Sequence, residues 1–316
     1  MIDSEDRDLL RNFIRQALAI GDEDFDTIVE ECVDYLDTAP DSDLVAEAAT
    51  EIAKEEFAAY LADQATWPDV LDTDRLFQAF QDLEAAGIVA RADFTCCQNC
   101  GVTEIGGEVP EGTETRGYTF CHRQDVEAAV EGSALYLSYG AFDGDDAAAT
   151  RIGEEVAATL RRHGLAPKWN GDLATRISVS MTWRERRFGE LAAWPGGPEP
   201  EVAGPLQVTY CDYARGRTQD DAVAMSLAES RRVLVDLTPR KGNFATFEGR
   251  SGAIVQVMWE DGPRLWLESP DSDARCSRGR HVTPSEAEEL IGVLADEDRV
   301  DLARLGDLEV RPWPVP

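Results

Sequence analysis

The spacing of apolar residues predicts four helices in the first ninety positions. Apolar side chains recur there every three or four residues, which is the period of one face of a helix. Ser4 is a suitable N-cap for the first helix, Gly21 ends it, and Pro40 ends the second. A short apolar run over 88–90 predicts the first strand. The predicted helices cover residues 4–20, 25–36, 42–62 and 73–86.

The pattern changes at Arg91, after which short apolar runs alternate with turn residues. A brief helix is predicted over 124–130, and a strand, a helix and two more strands follow it. This order is typical of a small α+β layer in which one helix covers one face of the sheet. The last four elements are predicted at residues 135–139, 147–163, 165–169 and 176–183.

The last third follows a segment rich in proline and glycine, residues 189–205, which predicts a linker. Thr283, with Pro284 and Glu286 after it, forms a capping box that predicts the start of a helix. The predicted elements are strands at 206–210, 233–237, 244–248, 254–259 and 264–268, and helices at 220–232 and 283–295.

These patterns together predict an α+β protein in three parts. An acidic helical region, 1–90, comes first. A small α+β sheet domain with a Cys/His site, 91–190, and a C-terminal antiparallel sheet with covering helices, 205–316, follow.

Charge narrows the set of partners. The chain has 316 residues and a formal net charge of −32, and residues 1–90 alone hold 24 Asp and Glu against 5 Lys and Arg. Such a surface repels phosphate backbones and anionic lipid, so neither nucleic acid nor a membrane is expected as a partner. The first residues lack a basic and apolar leader, and no apolar run reaches the roughly 18 residues that span a bilayer. We therefore expect a soluble, cytoplasmic protein.

The cysteines indicate a local site rather than a disulfide framework. Seven is an odd number, and no secretion signal accompanies them. Four of the seven lie within 94–125, together with one of only three histidines. Reduced thiols or a metal site are therefore favoured. These residues are Cys96, Cys97, Cys100, Cys121 and His122.

The spacing Cys97-x-x-Cys100 is that of a zinc knuckle, in which a tight turn brings two thiolates to one ion. A tetrahedral ion needs two further ligands, and Cys121 and His122 lie at the end of a returning strand. Neighbouring residues of an extended chain point to opposite sides, so Cys96 and Cys97 bind together only if the backbone turns between them. The spacing therefore predicts zinc bound by Cys97, Cys100 and His122, with the fourth position open between Cys96 and Cys121.

Two thiol chemistries compete with the metal site. A redox pair needs Cys97 at the start of a helix, whereas Gly101 and the residues after it favour a turn and a strand. A Cys97, His122 and Asp125 nucleophile arrangement is also conceivable. Asp125 has a simpler interpretation as a residue in the first turn of a helix, where the helix dipole favours an acid.

A longer motif runs through the cysteine segment and the strand after it, formed by Phe94, Cys96, Cys97, Cys100 and Gly101, then Gly117, Tyr118, Phe120, His122, Gln124 and Asp125. This motif resembles the signature of an uncharacterised bacterial domain family of unknown function, over roughly residues 1–190. The resemblance implies no activity, but it implies that Cys96 and His122 belong to the pattern, which favours Cys96 over Cys121 as the fourth ligand.

The C-terminal part resembles, more loosely, secretion-chaperone-like and immunity-type domains, which bind proteins without catalysis.

Two functions follow as hypotheses. The first is a non-catalytic, chaperone- or immunity-like module that binds another protein and carries a structural zinc held by Cys96, Cys97, Cys100 and His122. The second is a hydrolase-type enzyme that uses an open zinc site or a Cys97/His122 thiol. A winged-helix regulator at residues 70–95 would need a basic patch that this acidic region lacks. The oligomeric state is left open.

Overall fold

The α+β fold predicted from the sequence is confirmed. It comprises N-terminal helices, a mixed five-stranded sheet with helices, and a seven-stranded antiparallel sheet. The computed structural model describes residues 2–36, 42–109, 114–198, 204–213, 217–262 and 264–313.

Three helices form the N-terminal part, each close to its predicted bounds: α1 (Ser4–Ile20), α2 (Phe25–Tyr35) and α3 (Ser42–Gln64). Asp3, rather than Ser4, caps α1, because its Oδ1 accepts from the Asp6 amide at 2.9 Å. Pro40 lies outside the described residues. The apolar stripes of the three helices meet in one core, which includes Leu10, Ile14, Ile28, Ile52 and Phe57.

The five-stranded sheet follows, with strand order β1-β2-β3-β5-β4. β1 and β2 are parallel, and the other pairs are antiparallel. Helices α4 and α7 pack on each other and bury the apolar core of this unit. The elements are α4 (Asp72–Ala85), β1 (Ile88–Arg91), α5 (Gln98–Glu104), β2 (Gly117–Phe120), α6 (Arg123–Val130), β3 (Leu135–Ala141), α7 (Asp146–Arg162), β4 (Ala166–Lys168) and β5 (Ile177–Ser180), with short 3-10 turns at Ile105–Glu108 and Gly189–Ala192.

The C-terminal sheet has the strand order β12-β11-β10-β9-β8-β6-β7, and all its described pairs are antiparallel. Helices α8 and α9 contact each other and share one apolar core with the sheet. The elements are β6 (Leu206–Asp212), β7 (Arg217–Met225), α8 (Leu227–Asp236), β8 (Phe244–Glu248), β9 (Ile254–Glu260), β10 (Arg264–Asp271), β11 (Cys276–Val282), α9 (Pro284–Glu297), a 3-10 turn (Leu302–Leu305) and β12 (Glu309–Pro312).

Two predicted elements of this part are wrong. The helix predicted over 220–232 begins as the strand β7, and the strand predicted over 233–237 belongs to α8. Ser226 explains the shift: it caps α8 in a reciprocal capping box with Glu229. Strands β11 and β12 were not predicted, because their polar and charged residues hide the alternation expected of a strand.

Helix α4 joins the two sheet units. It contacts both α8 and α9. The Gln81 side-chain amide donates to the backbone carbonyls of Leu234 at 3.1 Å and Val235 at 2.9 Å. Gln78 donates to Glu288 at 3.1 Å. Within the described residues, no helix is both long enough and apolar enough to cross a membrane.

Candidate metal centre

The cysteine segment follows the carboxyl end of β1, and His122 follows the carboxyl end of the parallel strand β2. The Phe94 amide donates to the Cys121 carbonyl at 2.8 Å, and the Arg123 amide donates to the Thr95 carbonyl at 3.0 Å. These two bonds continue the pairing of β1 with β2 past the last strand residues. Thr95, which precedes Cys96, is therefore held beside Arg123, which follows His122.

A turn brings three thiols together. Asp93 and Thr95 adopt positive φ angles of 51° and 61°, the left-handed conformation that non-glycine residues seldom adopt. The sulfurs of Cys96, Cys97 and Cys100 lie within 4.8 Å of one another as a result, with 3.6 Å between Cys96 Sγ and Cys100 Sγ. The backbone turn on which joint binding by Cys96 and Cys97 depends is therefore present.

Helix α5 follows the turn directly, and Cys97 is its N-cap residue. The turn and strand predicted after Gly101 are wrong. Gly101 lies inside α5, where a Cβ atom would come within 2.3 Å of Cε2 of the buried Phe120 ring. The glycine serves close packing of helix on strand, so its presence does not indicate a turn. The helical position also removes the sequence-based objection to a reactive Cys97.

The pKa values of Cys97 and Cys100 are shifted in opposite directions. The Cys100 amide, and after it the Cys100 thiol, lowers the pKa of Cys97. Hydrogen bonds of the protonated Cys100 thiol with Cys96 and Cys97 raise the pKa of Cys100 to about 11. Cys97 is therefore the first of the pair to become a thiolate, and a cation would be needed to hold Cys100 in the same state at neutral pH.

His122 caps α6 and is only 6% exposed. Its Nε2 lies 3.0 Å from Asp125 Oδ2. Arg176 Nη1, which is 3.2 Å from the same nitrogen, donates to both oxygens of Asp125 at 2.9 and 2.8 Å. Burial is the main cause that lowers the pKa of His122, so the neutral imidazole is favoured.

The other ring nitrogen of His122 is unpaired. Nδ1 is buried and has no hydrogen-bond partner in the described part of the chain. A proton on Nε2 would bond to the Asp125 carboxylate and leave the lone pair of Nδ1 free, whereas a lone pair on Nε2 would accept from Arg176 and place the proton on Nδ1. A neutral imidazole with its second nitrogen bonded to a carboxylate is the usual state of a metal-binding histidine.

The predicted site residues are only partly brought together. Among the described residues, the group of side chains close enough to share a metal ion consists of Cys96, Cys97 and Cys100, and His122 lies outside it. Cys121 is fully buried in the apolar core, where burial raises the pKa of its thiol. The four-ligand set that includes His122 stays a prediction.

Arg176 was missed by the sequence analysis. It lies just before β5, more than fifty residues after His122, and no motif marks it. Its side chain is the cationic partner of Asp125, whose carboxyl group is only 5% exposed. The available signal was indirect: a carboxylate placed at a buried helix start requires a positive partner.

The donor set suits a soft metal ion. Thiolates favour zinc, copper(I) and iron–sulfur chemistry over magnesium or calcium, which prefer oxygen ligands. Three sulfurs within 4.8 Å fit around one such ion. The cluster is accordingly a possible metal site, and its residues do not by themselves determine which metal it takes.

Comparisons with known proteins agree with this picture of an uncharacterised domain. The chain is 38% identical over 72 residues to the uncharacterized protein y4hO of Sinorhizobium fredii (strain NBRC 101917 / NGR234). That similarity covers 23% of this chain and 59% of the rhizobial protein. No solved structure matches. A family model described as a domain of unknown function, DUF6891, matches residues 3–187, which include the whole cysteine and histidine site, and the chain belongs to this family.

Proposed function

We propose that this chain is a non-catalytic protein-binding module in which Cys96, Cys97, Cys100 and His122 hold one structural zinc ion. One observation supports the ligand set more than any other. Among the described residues, His122 Nδ1 is buried without a hydrogen-bond partner, and the segment of His122 is joined by backbone bonds to the turn that carries three thiols.

A metal ion bound to His122 Nδ1 would remove the free-energy penalty of leaving this buried atom without a hydrogen bond. A buried polar atom without a partner costs about 1–3 kcal/mol. Zinc in a structural site takes four ligands in a tetrahedron, and three thiols provide only three of them. His122 Nδ1 is a chemically suitable donor on the paired segment. Bringing it to the ion requires the exposed cysteine turn to close toward α6.

A site of this composition favours a structural role. Three thiolates outweigh the charge of Zn²⁺, and four protein ligands leave no position for water, so the ion would activate neither water nor a carbonyl. When bound, zinc would instead fasten the turn before α5 to the start of α6. Both segments follow parallel strands, and they are already joined by backbone bonds and by the ion pair between Arg123 and Asp93 at 2.9 Å.

The protein-binding part of the proposal is supported by the C-terminal sheet. Its outer strands β7 and β12 each have one neighbouring strand among the described residues. Strand β7 is nine residues long, and an open edge of that length can accept an extended peptide of another protein through backbone hydrogen bonds. The net charge of −32 makes a basic partner segment the most suitable.

The test is metal content by plasma mass spectrometry on protein purified without a metal-affinity tag. We expect one zinc per chain in the wild type, and its loss in Cys97→Ser and His122→Ala. Asp125→Asn should keep zinc but weaken its binding by about 10- to 100-fold, because Asp125 orients the imidazole. His281→Ala is the matched control. The His281 imidazole is hydrogen-bonded to Glu260 in the C-terminal sheet, so we expect its removal to leave the zinc content unchanged.

A thiol enzyme is the second candidate, and the position of Cys97 favours it. Its pKa is lowered at the start of α5, and Cys96 and Cys100 lie close enough to exchange protons. Metal-free protein whose Cys97 reacts with iodoacetamide much faster than Cys100 would support this candidate and refute the zinc proposal. Zinc that persists in His122→Ala would indicate an open three-thiolate site instead.

A further inference from the structure

Two sulfur atoms of the turn before α5 lie at contact distance. Cys96 Sγ is 3.6 Å from Cys100 Sγ, and Cys97 Sγ lies within 4.8 Å of both. All three cysteines are free thiols in this structure. A disulfide bond is about 2.0 Å long, so the Cys96 and Cys100 sulfurs would need to approach by roughly 1.6 Å. Rotation about χ1 of the exposed Cys96 side chain can supply a movement of that size.

Oxidants in solvent can reach this pair. Cys96 is exposed and Cys100 is half-buried. Each of the four cysteines outside the turn is buried, and burial keeps an oxidant away from a thiol. Oxidation is therefore expected to begin in the turn. The buried cysteines are Cys32, Cys121, Cys211 and Cys276.

Local backbone contacts fix where the two sulfurs lie. Cys96 follows Thr95, a residue with positive φ whose Oγ1 donates to the Cys97 carbonyl at 3.2 Å. Cys100 lies in the first turn of α5, and the Gly101 amide donates to the same Cys97 carbonyl at 3.0 Å. The turn and the start of the helix therefore form one local unit, in which the Cys96 and Cys100 sulfurs are adjacent.

We propose that Cys96 and Cys100 are a redox pair: a peroxide joins their sulfur atoms in a disulfide, and a thiol reductant separates them again. Cys97 keeps its free thiol. Sequence spacing alone would select Cys97 and Cys100, the two ends of the Cys-x-x-Cys segment. The contact between the Cys96 and Cys100 sulfurs selects a different pair.

The oxidation is balanced with hydrogen peroxide as the electron acceptor. The Cys96 sulfur attacks one peroxide oxygen, the O–O bond breaks, and the thiol proton leaves with the other oxygen as water, so that Cys96 becomes a sulfenic acid. The Cys100 sulfur then attacks the Cys96 sulfur, the S–O bond breaks, and the second thiol proton leaves with that oxygen as water. Two thiols thus lose two protons and two electrons, and one peroxide becomes two waters.

The disulfide removes two of the four proposed zinc ligands. Cys97 and His122 alone remain, fewer than the four ligands of a structural zinc site. Oxidation therefore releases the ion, and reduction restores the site. This release rests on the zinc proposal. The redox pair does not rest on it, because the two sulfurs already lie 3.6 Å apart in this structure.

Differential alkylation of the full chain identifies the pair. Protein stripped of metal with EDTA is treated with hydrogen peroxide and then with catalase, and is unfolded in N-ethylmaleimide, which blocks the free thiols. Dithiothreitol then opens the disulfide, and iodoacetamide labels the thiols that it frees. The three cysteines lie on one tryptic peptide, residues 92–116, whose fragment spectra assign each label. We expect the iodoacetamide label on Cys96 and Cys100, and N-ethylmaleimide on Cys97 and on the four buried cysteines.

Cys97→Ser is the matched control, because serine is a favoured N-cap residue and the substitution leaves both sulfurs of the pair in place. We expect this variant to form the disulfide as the wild type does, although it loses zinc. Cys96→Ser should lose both the disulfide and zinc. In zinc-loaded wild-type protein, a chromogenic chelator should detect one zinc released for each disulfide formed.

Three results would overturn the redox pair: a disulfide that includes Cys97, sulfinic acid without any disulfide, or a disulfide that forms in Cys96→Ser as fast as in the wild type. Zinc retained by the oxidised protein would overturn the release. Protein that binds no zinc would refute the zinc proposal and the release with it, and the alkylation pattern of the metal-free chain would still decide the redox pair.

Discussion

Replacing Gly101 with alanine tests the packing that positions the thiols. Alanine inside a helix normally stabilises it by about 1 kcal/mol relative to glycine. At Gly101, however, the added Cβ would lie 2.3 Å from Phe120 Cε2 and 2.6 Å from Cζ, well inside van der Waals contact. Phe120 is fully buried and has no room to move, so overpacking of about 1–3 kcal/mol applies. The net expectation is a loss of stability of up to about 2 kcal/mol, opposite in sign to the helix preference.

Urea denaturation measures the free energy of unfolding. Hydrogen exchange of the native protein, read on peptides from residues 94–125, and zinc affinity are measured on the same preparations. Gly106→Ala is the matched control, because a Cβ at Gly106 meets no atom within 4 Å. We expect faster exchange and weaker zinc binding in Gly101→Ala alone. Stabilisation by Gly101→Ala, or equal effects of the two substitutions, would refute the close packing of α5 on β2.

Three further predictions concern buried side chains. Cys121→Ala should keep its zinc but lose about 1–3 kcal/mol of stability, because Cys121 belongs to the core; metal content and urea denaturation check both parts. Burial raises the pKa of Glu56, but hydrogen bonds from Arg15 and Arg11 lower it, and the overall shift is downward. The ionised Glu56 therefore stabilises the fold above the ordinary pKa of 4.5, and this stabilisation is lost as the pH falls below that value. Glu56→Gln should reduce that acid loss in denaturation curves recorded across this range. The pKa of Glu185 is raised to about 8, so its contribution is complete below pH 4.5 and declines as pH rises to 8, and Glu185→Gln should flatten this decline.

Much of the fold could be predicted because its helices have a clear apolar period. Helices α1 to α4 and α7 follow that period and end near the residues predicted from it. The errors lie where local patterns conflict. The apolar run Val233-Leu234-Val235 favours a strand, but the capping box at Ser226 makes it helical, and Leu234 is fully buried on that helix.

Only the part of the candidate site that depends on close spacing in the sequence could be predicted. The spacing of Cys97 and Cys100 predicted that these two thiols lie together. The turn that adds the Cys96 thiol depends on positive φ angles at Asp93 and Thr95, and neither residue type predicts such an angle. The turn predicted at Gly101 was wrong because the residue type alone does not distinguish a glycine needed for close packing from a glycine needed for a turn. Arg176 lies too far along the chain for any local pattern to connect it with Asp125.

X-ray absorption at the zinc edge, on the wild type and His122→Ala, distinguishes a four-ligand site from a three-thiolate site, because it reports the number and type of ligand atoms. We expect three sulfurs at about 2.3 Å and one nitrogen at about 2.0–2.1 Å in the wild type. The histidine signature should disappear in His122→Ala. A spectrum with three sulfurs that is identical in both proteins, or protein without zinc, would contradict the four-ligand structural site.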